Sequence, residues 1–131
     1  MKHRFNHLVI YQDTDAEGVV YYANYLGYFE RGRMELLRSM GLPMKKLKQD
    51  FGIVFAIRKV ECDYLAPARL EDEITIETEI VEYTMATVNF SQKVFRGEQM
   101  LVSAKIQACS IAINKFRPVR IPPALIAMLS G

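Results

Sequence analysis

A chain of 131 residues, half of them apolar, has the length and apolar content of one domain with its own core, spanning residues 1–131. Its net charge of +2 excludes an extended nucleic-acid surface and leaves room only for a local basic patch. No apolar run approaches the roughly 20 residues of a membrane span. The first such run, Leu8-Val9-Ile10, is too short for a secretory h-region, so a cytoplasmic protein is expected.

Arg4 to Tyr11 alternates as a strand, with Phe5, His7, Val9 and Tyr11 on one face. Gln12 to Gly18 is polar and turn-prone, punctuated by Asp13, Asp15 and Gly18. The one long helix is predicted to begin between Tyr21 and Asn24 and to run to about Met40, where Gly41 and Pro43 supply stop signals. At helical spacing Tyr22, Tyr25, Leu26, Phe29, Leu36, Leu37 and Met40 form one apolar stripe, with Arg31, Glu35 and Arg38 opposite. Arg33 projects into that stripe and needs a partner there. Glu30, three residues back, is the nearest candidate, with Asp13 or a carboxylate from a second chain as others.

Met44 to Asp50 reads as a short basic turn. From Ile53 the period changes to two, with a phase slip between Ile57 and Val60 that predicts a bulge in one long strand ended by Pro67. Glu73 to Glu82 alternates cleanly, with Ile74, Ile76 and Ile80 inward and Glu73, Thr75, Glu77 and Glu79 outward. Met85–Phe95 and Met100–Ile113 follow, joined by a hairpin at Arg96-Gly97-Glu98. Ala104, Ala108 and Ala112 offer small side chains for close helix packing. Ala124–Leu129 is predicted as a short terminal helix.

The order is strand, long helix, four strands. It predicts an α+β fold, a five-stranded antiparallel sheet wrapped around one central helix, with the last four strands as a meander and the first added at an edge or beside a non-neighbour. Open edges favour pairing with a second copy, so a homodimer or homotetramer is expected.

His3 and His7 share a strand face without a third ligand, which makes a zinc site improbable. Cys62 and Cys109 lie in apolar strand-like runs and are expected as free thiols. No nucleophile elbow and no phosphate-binding glycine loop is present. What remains is Asp15. A carboxylate can attack an acyl carbon or polarise a water, and a helix N-terminus offers free N–H groups to an oxyanion. By spacing alone, a turn or capping role for Asp15 is the more ordinary reading.

The stretch YQDTDAEGVVYYANYLGYFERGRME, from Tyr11 to Glu35, resembles the signature of the 4-hydroxybenzoyl-CoA thioesterase family, in particular its YbgC-like acyl-CoA thioesterase branch, associated with the bacterial Tol-Pal system. Tyr64 to Asp72, YLAPARLED, resembles the same family's second strand and its turn. The likeness covers nearly the whole chain. It implies the hotdog fold and hydrolysis of acyl-CoA in a site shared by two subunits, with no cofactor. It implies Asp15 as nucleophile or general base and the Tyr22 backbone N–H as the group that polarises the thioester carbonyl. Tyr11 matches an active-site tyrosine of that branch, and Val20 and Tyr25 are expected beside the substrate. The sequence departs from the pattern at Tyr22, where many members carry histidine, and at Glu17, where glycine is frequent. Acyl carrier protein is an alternative carrier, which the basic Met44–Lys48 segment would suit. A non-catalytic module that binds acyl thioesters is the alternative from another class.

Overall fold

The computed structural model describes residues 2–130. Strand β1 (Lys2–Leu8) leads through a 3-10 turn (Tyr11–Asp13) to helix α1 (Asn24–Ser39). A short α2 (Met44–Lys46) continues into a π turn (Leu47–Phe51). Then come β2 (Ile53–Tyr64), β3 (Glu73–Tyr83), β4 (Thr87–Arg96), β5 (Gln99–Ala112), a two-residue β6 (Arg117–Pro118) and α3 (Pro123–Ser130).

All strand pairs are antiparallel, in the order β1-β3-β4-β5-β2, with β6 added beside β5. The sheet curls around α1 as expected, but the meander extends only over β3, β4 and β5. Strand β2 lies at the far edge, paired with β5 instead of β3. The cause is the connection 65–72, which is no hairpin turn. Its start is fastened to β5 by Leu65 N and Ala66 N donating to Leu101 O at 2.8 and 3.1 Å. Its end is fastened near β1 by Val9 N donating to Asp72 O at 2.9 Å. The chain therefore crosses one end of the sheet between β2 and β3, and this crossing becomes a wall of the site.

The bulge in β2 is where the phase slip places it, between Ile57 and Lys59. The hairpin turn is also as expected: Arg96 pairs with Gln99 across Gly97-Glu98, and Gly97 takes φ 60. Strand β1 stops at Leu8, so Tyr11 leaves the strand face predicted for it and sits in the 3-10 turn. Glu77, expected outward and solvated, is 5 % exposed, because Arg4 covers it and its Nη2 donates to Glu77 Oε1 at 2.6 Å.

Helix α1 ends in a Schellman arrangement. Leu42 N donates to Leu37 O at 2.8 Å and Gly41 N to Arg38 O at 3.0 Å, with Gly41 at φ 80. Its buried face is Tyr25, Tyr28, Phe29, Gly32, Leu36 and Leu37. This face is turned relative to the predicted stripe: Tyr22 and Leu26 are 61 % and 43 % exposed, while Tyr28 and Gly32 are inside. Gly32 explains the turn. A Cβ there would stand 2.4 Å from Thr78 Oγ1 and 3.0 Å from Gln92 Nε2, so only glycine lets the helix lie this close to β3 and β4. Thr78, Gln92, Ala104 and Cys62 form one row across the sheet beneath it. Phe29 and Leu36 are essentially fully buried, each worth about 1.5–3 kcal/mol by transfer.

Candidate active site

The loop between β1 and α1 is built on Asp13. Its carboxylate Oδ2 accepts from His7 Nε2 and from Ile10 N, both at 2.9 Å. Its backbone oxygen accepts from Tyr21 N at 3.0 Å and from Asn24 Nδ2 at 2.8 Å. Burial works to raise the Asp13 pKa, but the His7 and Ile10 donors outweigh it and hold the carboxyl below its ordinary range. Since a carboxylate only accepts, the bonded His7 Nε2 carries a proton. The Tyr28 ring lies 4.8 Å from the His7 ring. Its hydroxyl is buried near Asp13, and burial together with that charge pushes its pKa up.

Asp15 stands two residues beyond this knot, exposed to solvent. Its Oδ1 accepts from Glu17 N at 2.8 Å, while its N–H donates to Val19 O at 2.9 Å and its carbonyl accepts from Gly18 N at 3.1 Å. Gly18 takes φ 77 to close this tight loop. The turn-forming role of Asp15 is therefore real, and it leaves Oδ2 uncommitted among the described residues.

At the start of α1 no side chain caps the helix: the position before Asn24 is Ala23, with no side-chain acceptor. Tyr21 N is bonded to Asp13 O and Asn24 N to Tyr21 O. Among the described residues the intervening Tyr22 N–H and Ala23 N–H have no hydrogen-bond acceptor. Two open donors at a helix N-terminus suit an anion or a polarised carbonyl oxygen.

Beside these donors lies a cleft of about 250 Å³ lined by Val20, Tyr22, Tyr25, Tyr64, Leu65, Ala66 and Pro67. Tyr22 meets Tyr64 edge-on with ring centroids 6.2 Å apart, and Tyr25 lies 5.6 Å from Tyr64. Burial, with Cys62 next, pushes the Tyr64 hydroxyl up to about 12. It stays protonated and donates to Tyr22 O at 3.3 Å. The Tyr25 hydroxyl accepts from Ala68 N at 3.1 Å, which ties α1 to the crossing 65–72.

Of the residues singled out in the sequence, Val20, Tyr22 and Tyr25 line the cleft, while Asp15 stands in the preceding loop and is not part of the cleft's lining. Val20 and Tyr25 are its buried floor, at 4 % and 3 % exposure. Tyr11 is 82 % exposed and does not line this cleft. The sequence reading missed the knot of His7, Asp13 and Asn24, and the wall formed by Tyr64, Leu65, Ala66 and Pro67. Asp13 was visible as the first acid of the DTD run. Its link to His7 depends on β1 ending at Leu8, which alternation does not show. Arg33 finds neither Glu30 nor Asp13 as its hydrogen-bond partner. Its Nη1 donates to Gln92 Oε1 at 2.9 Å. Burial lowers the Arg33 pKa, and the nearby Glu30 charge opposes that shift.

The profile of the Thioesterase superfamily matches residues 17–103. The chain is 38 % identical over 114 residues to the acyl-CoA thioesterase YbgC of Haemophilus influenzae, covering 87 % of this chain and 84 % of that protein. It is 35 % identical over 120 residues to the acyl-CoA thioester hydrolase YbgC of Escherichia coli O157:H7, covering 91 % and 89 %. Among solved structures, a probable thioesterase from Bartonella henselae superposes with a TM-score of 0.86 at 36 % identity, covering 93 % of this chain and all of that one. By profile, by sequence and by fold, this chain belongs to the thioesterase superfamily and has its hotdog fold.

Proposed function

We propose that the protein hydrolyses acyl-CoA thioesters to a free acid and CoA. Membership of the superfamily supports thioester hydrolysis, and relatives named as acyl-CoA thioesterases support CoA as the carrier. The observation that carries the residue assignment is the pair of open N–H groups at Tyr22 and Ala23, on the same short segment as the solvent-facing Asp15. The thioester carbonyl oxygen docks on the Tyr22 N–H. Charge that develops on this oxygen is met by a fixed donor and by the positive end of α1. Asp15 either takes a proton from an attacking water or attacks the acyl carbon itself. In the first route the water oxygen bonds to the acyl carbon, the C–S bond breaks, and the thiolate of CoA regains a proton. In the second the Asp15 oxygen bonds to the acyl carbon as the C–S bond breaks, the thiolate of CoA leaves and takes up a proton, and water then cleaves the acyl-aspartyl anhydride to the free acid, returning the carboxylate. Val20, Tyr25 and Tyr64 offer an apolar wall to the acyl group.

The free edge of β2 is the surface through which a second copy completes the site. Ile57 and Val60, at 45 % and 41 % exposed, flank this edge, and Leu26 and Met34 of α1 are exposed at 43 % and 38 %. A homodimer pairing these edges would cover apolar surface and the open ladder together.

The test is a thiol-release screen of the purified protein over short, long and aromatic acyl-CoAs. Release of CoA with at least one class is expected. Tight binding across the panel with no release would replace the enzyme by a binding module.

A further inference from the structure

Asp15 and Tyr22 both stand close in the chain to residues of one hydrogen-bonded knot, that of Asp13. Asp13 is two residues before Asp15, and its backbone oxygen holds the N–H of Tyr21, the residue before Tyr22. The same oxygen holds Asn24 Nδ2 at the first residue of α1. Whatever fixes Asp13 therefore bears on the spacing between the carboxylate and the open donors, alongside the bonds of Asp15 to Glu17, Gly18 and Val19. What fixes Asp13 is its carboxylate, gripped by Ile10 N from one side and by His7 Nε2 from β1 on the other. His7 is itself seated, opposite Ile74 of β3 and with its ring against Tyr28. The chain of contacts runs from the rigid sheet through His7 and Asp13 to both halves of the site.

We infer that Asp13, held by His7, is the positioning residue that sets Asp15 against the Tyr22 N–H. This rests on the assignment of Asp15 and Tyr22 proposed above. Neither His7 nor Asp13 is assigned a contact with substrate. Both act through the loop, so their loss should lower the rate of the chemical step more than the affinity for substrate.

His7→Phe keeps a ring against Tyr28 and removes the N–H donor to Asp13. It is expected to lower kcat roughly ten- to hundredfold, the scale of a misplacement of order 1 Å, with KM changed by no more than about twofold. His7→Gln returns an N–H donor and should recover most of that loss. Asn24→Ala loosens the same oxygen from the helix side and should reproduce the kcat effect if His7→Phe fails to fold. Melting temperatures are recorded for every variant, and Asp15→Asn is assayed beside them. If Asp15→Asn is inactive while His7→Phe and Asn24→Ala keep wild-type kcat, this inference fails alone. A fall in kcat that tracks the melting temperature, without rescue by His7→Gln, shows a merely structural contact and also overturns it. If Asp15→Asn keeps full activity, the assignment of Asp15 fails and takes this inference with it.

Discussion

Arg33 on α1 and Gln92 on β4 are joined by a hydrogen bond of 2.9 Å from guanidinium to amide oxygen. The amide nitrogen of Gln92 then donates at 2.8 Å both to Phe29 O and to Thr78 Oγ1. Gln92 is fully buried, so its three bonds satisfy an amide that has no water to turn to. A neutral side chain thus anchors a half-buried cation to the sheet.

Gln92→Ala should therefore destabilise the fold by about 3 kcal/mol, since a hydrogen bond to a charged group and the burial of an unsatisfied donor both enter. Urea unfolding measures this. A loss below about 1 kcal/mol, the worth of one ordinary hydrogen bond, would mean that the network has another support.

Two glycines of one helix should respond in opposite directions. Gly32→Ala forces a methyl to within 2.4 Å of Thr78 Oγ1 and is expected to cost stability, about 1–3 kcal/mol for overpacking. Gly27→Ala meets nothing within 4 Å and should gain stability, about 0.5–1 kcal/mol from helix propensity. Thermal unfolding of both variants at one protein concentration decides it. Equal effects would contradict the close approach at Gly32.

How much of this was legible in the residues varies with range. The helix, its glycine stop, the bulge after Ile57 and the turn at Gly97 are local events, written within a few residues of where they occur. The partner of Arg33 is not, because Gln92 is 59 residues away and a neutral amide gives no charge signal. The true buried face was hidden by Gly32, which counts as no hydrophobe yet admits the closest packing. The place of β2 was hidden because chain order favours β3 as its neighbour, whereas the fastening of Leu65 and Ala66 to Leu101 O carries the chain across the sheet end. In the candidate site, Asp15 and the start of α1 were singled out by their motif, while His7 entered only through a three-dimensional contact.

Asp72 gives the stability a signature in acid. Burial acts to raise its pKa, but the Arg69 N–H and the Arg96 guanidinium, at 2.8 and 2.6 Å, outweigh this and hold it below the ordinary value of 3.8. Above 3.8 both folded and unfolded chains carry the charge, and the contribution is fully present. As pH falls below this value the unfolded chain binds the proton first, and the contribution is lost until the folded group also titrates. Asp72→Asn should lower stability at neutral pH and flatten its decline in acid. Urea midpoints between pH 6 and about pH 2 measure this, and a slope unchanged from wild type would contradict it.

The edge of β2 can be tested with a single charge. Ile57→Asp places a carboxylate on the exposed apolar flank of the proposed dimer, where like charges would face each other across a two-fold interface. Sedimentation velocity should show a dimer for the wild-type protein and a monomer for the variant, with activity lost in step. A variant that stays dimeric would move the interface elsewhere.

The most direct measurement is thiol release by Asp15→Asn, at saturating concentration of the best acyl-CoA substrate of the wild-type protein. The substitution keeps the size of the side chain and an oxygen for the Glu17 N–H, so the loop should keep its shape. Turnover should fall by about a hundredfold or more, since an amide can neither accept the proton nor act as the nucleophile, with an unchanged melting temperature. Turnover equal to that of the wild-type protein would contradict the central claim that Asp15 performs the chemistry.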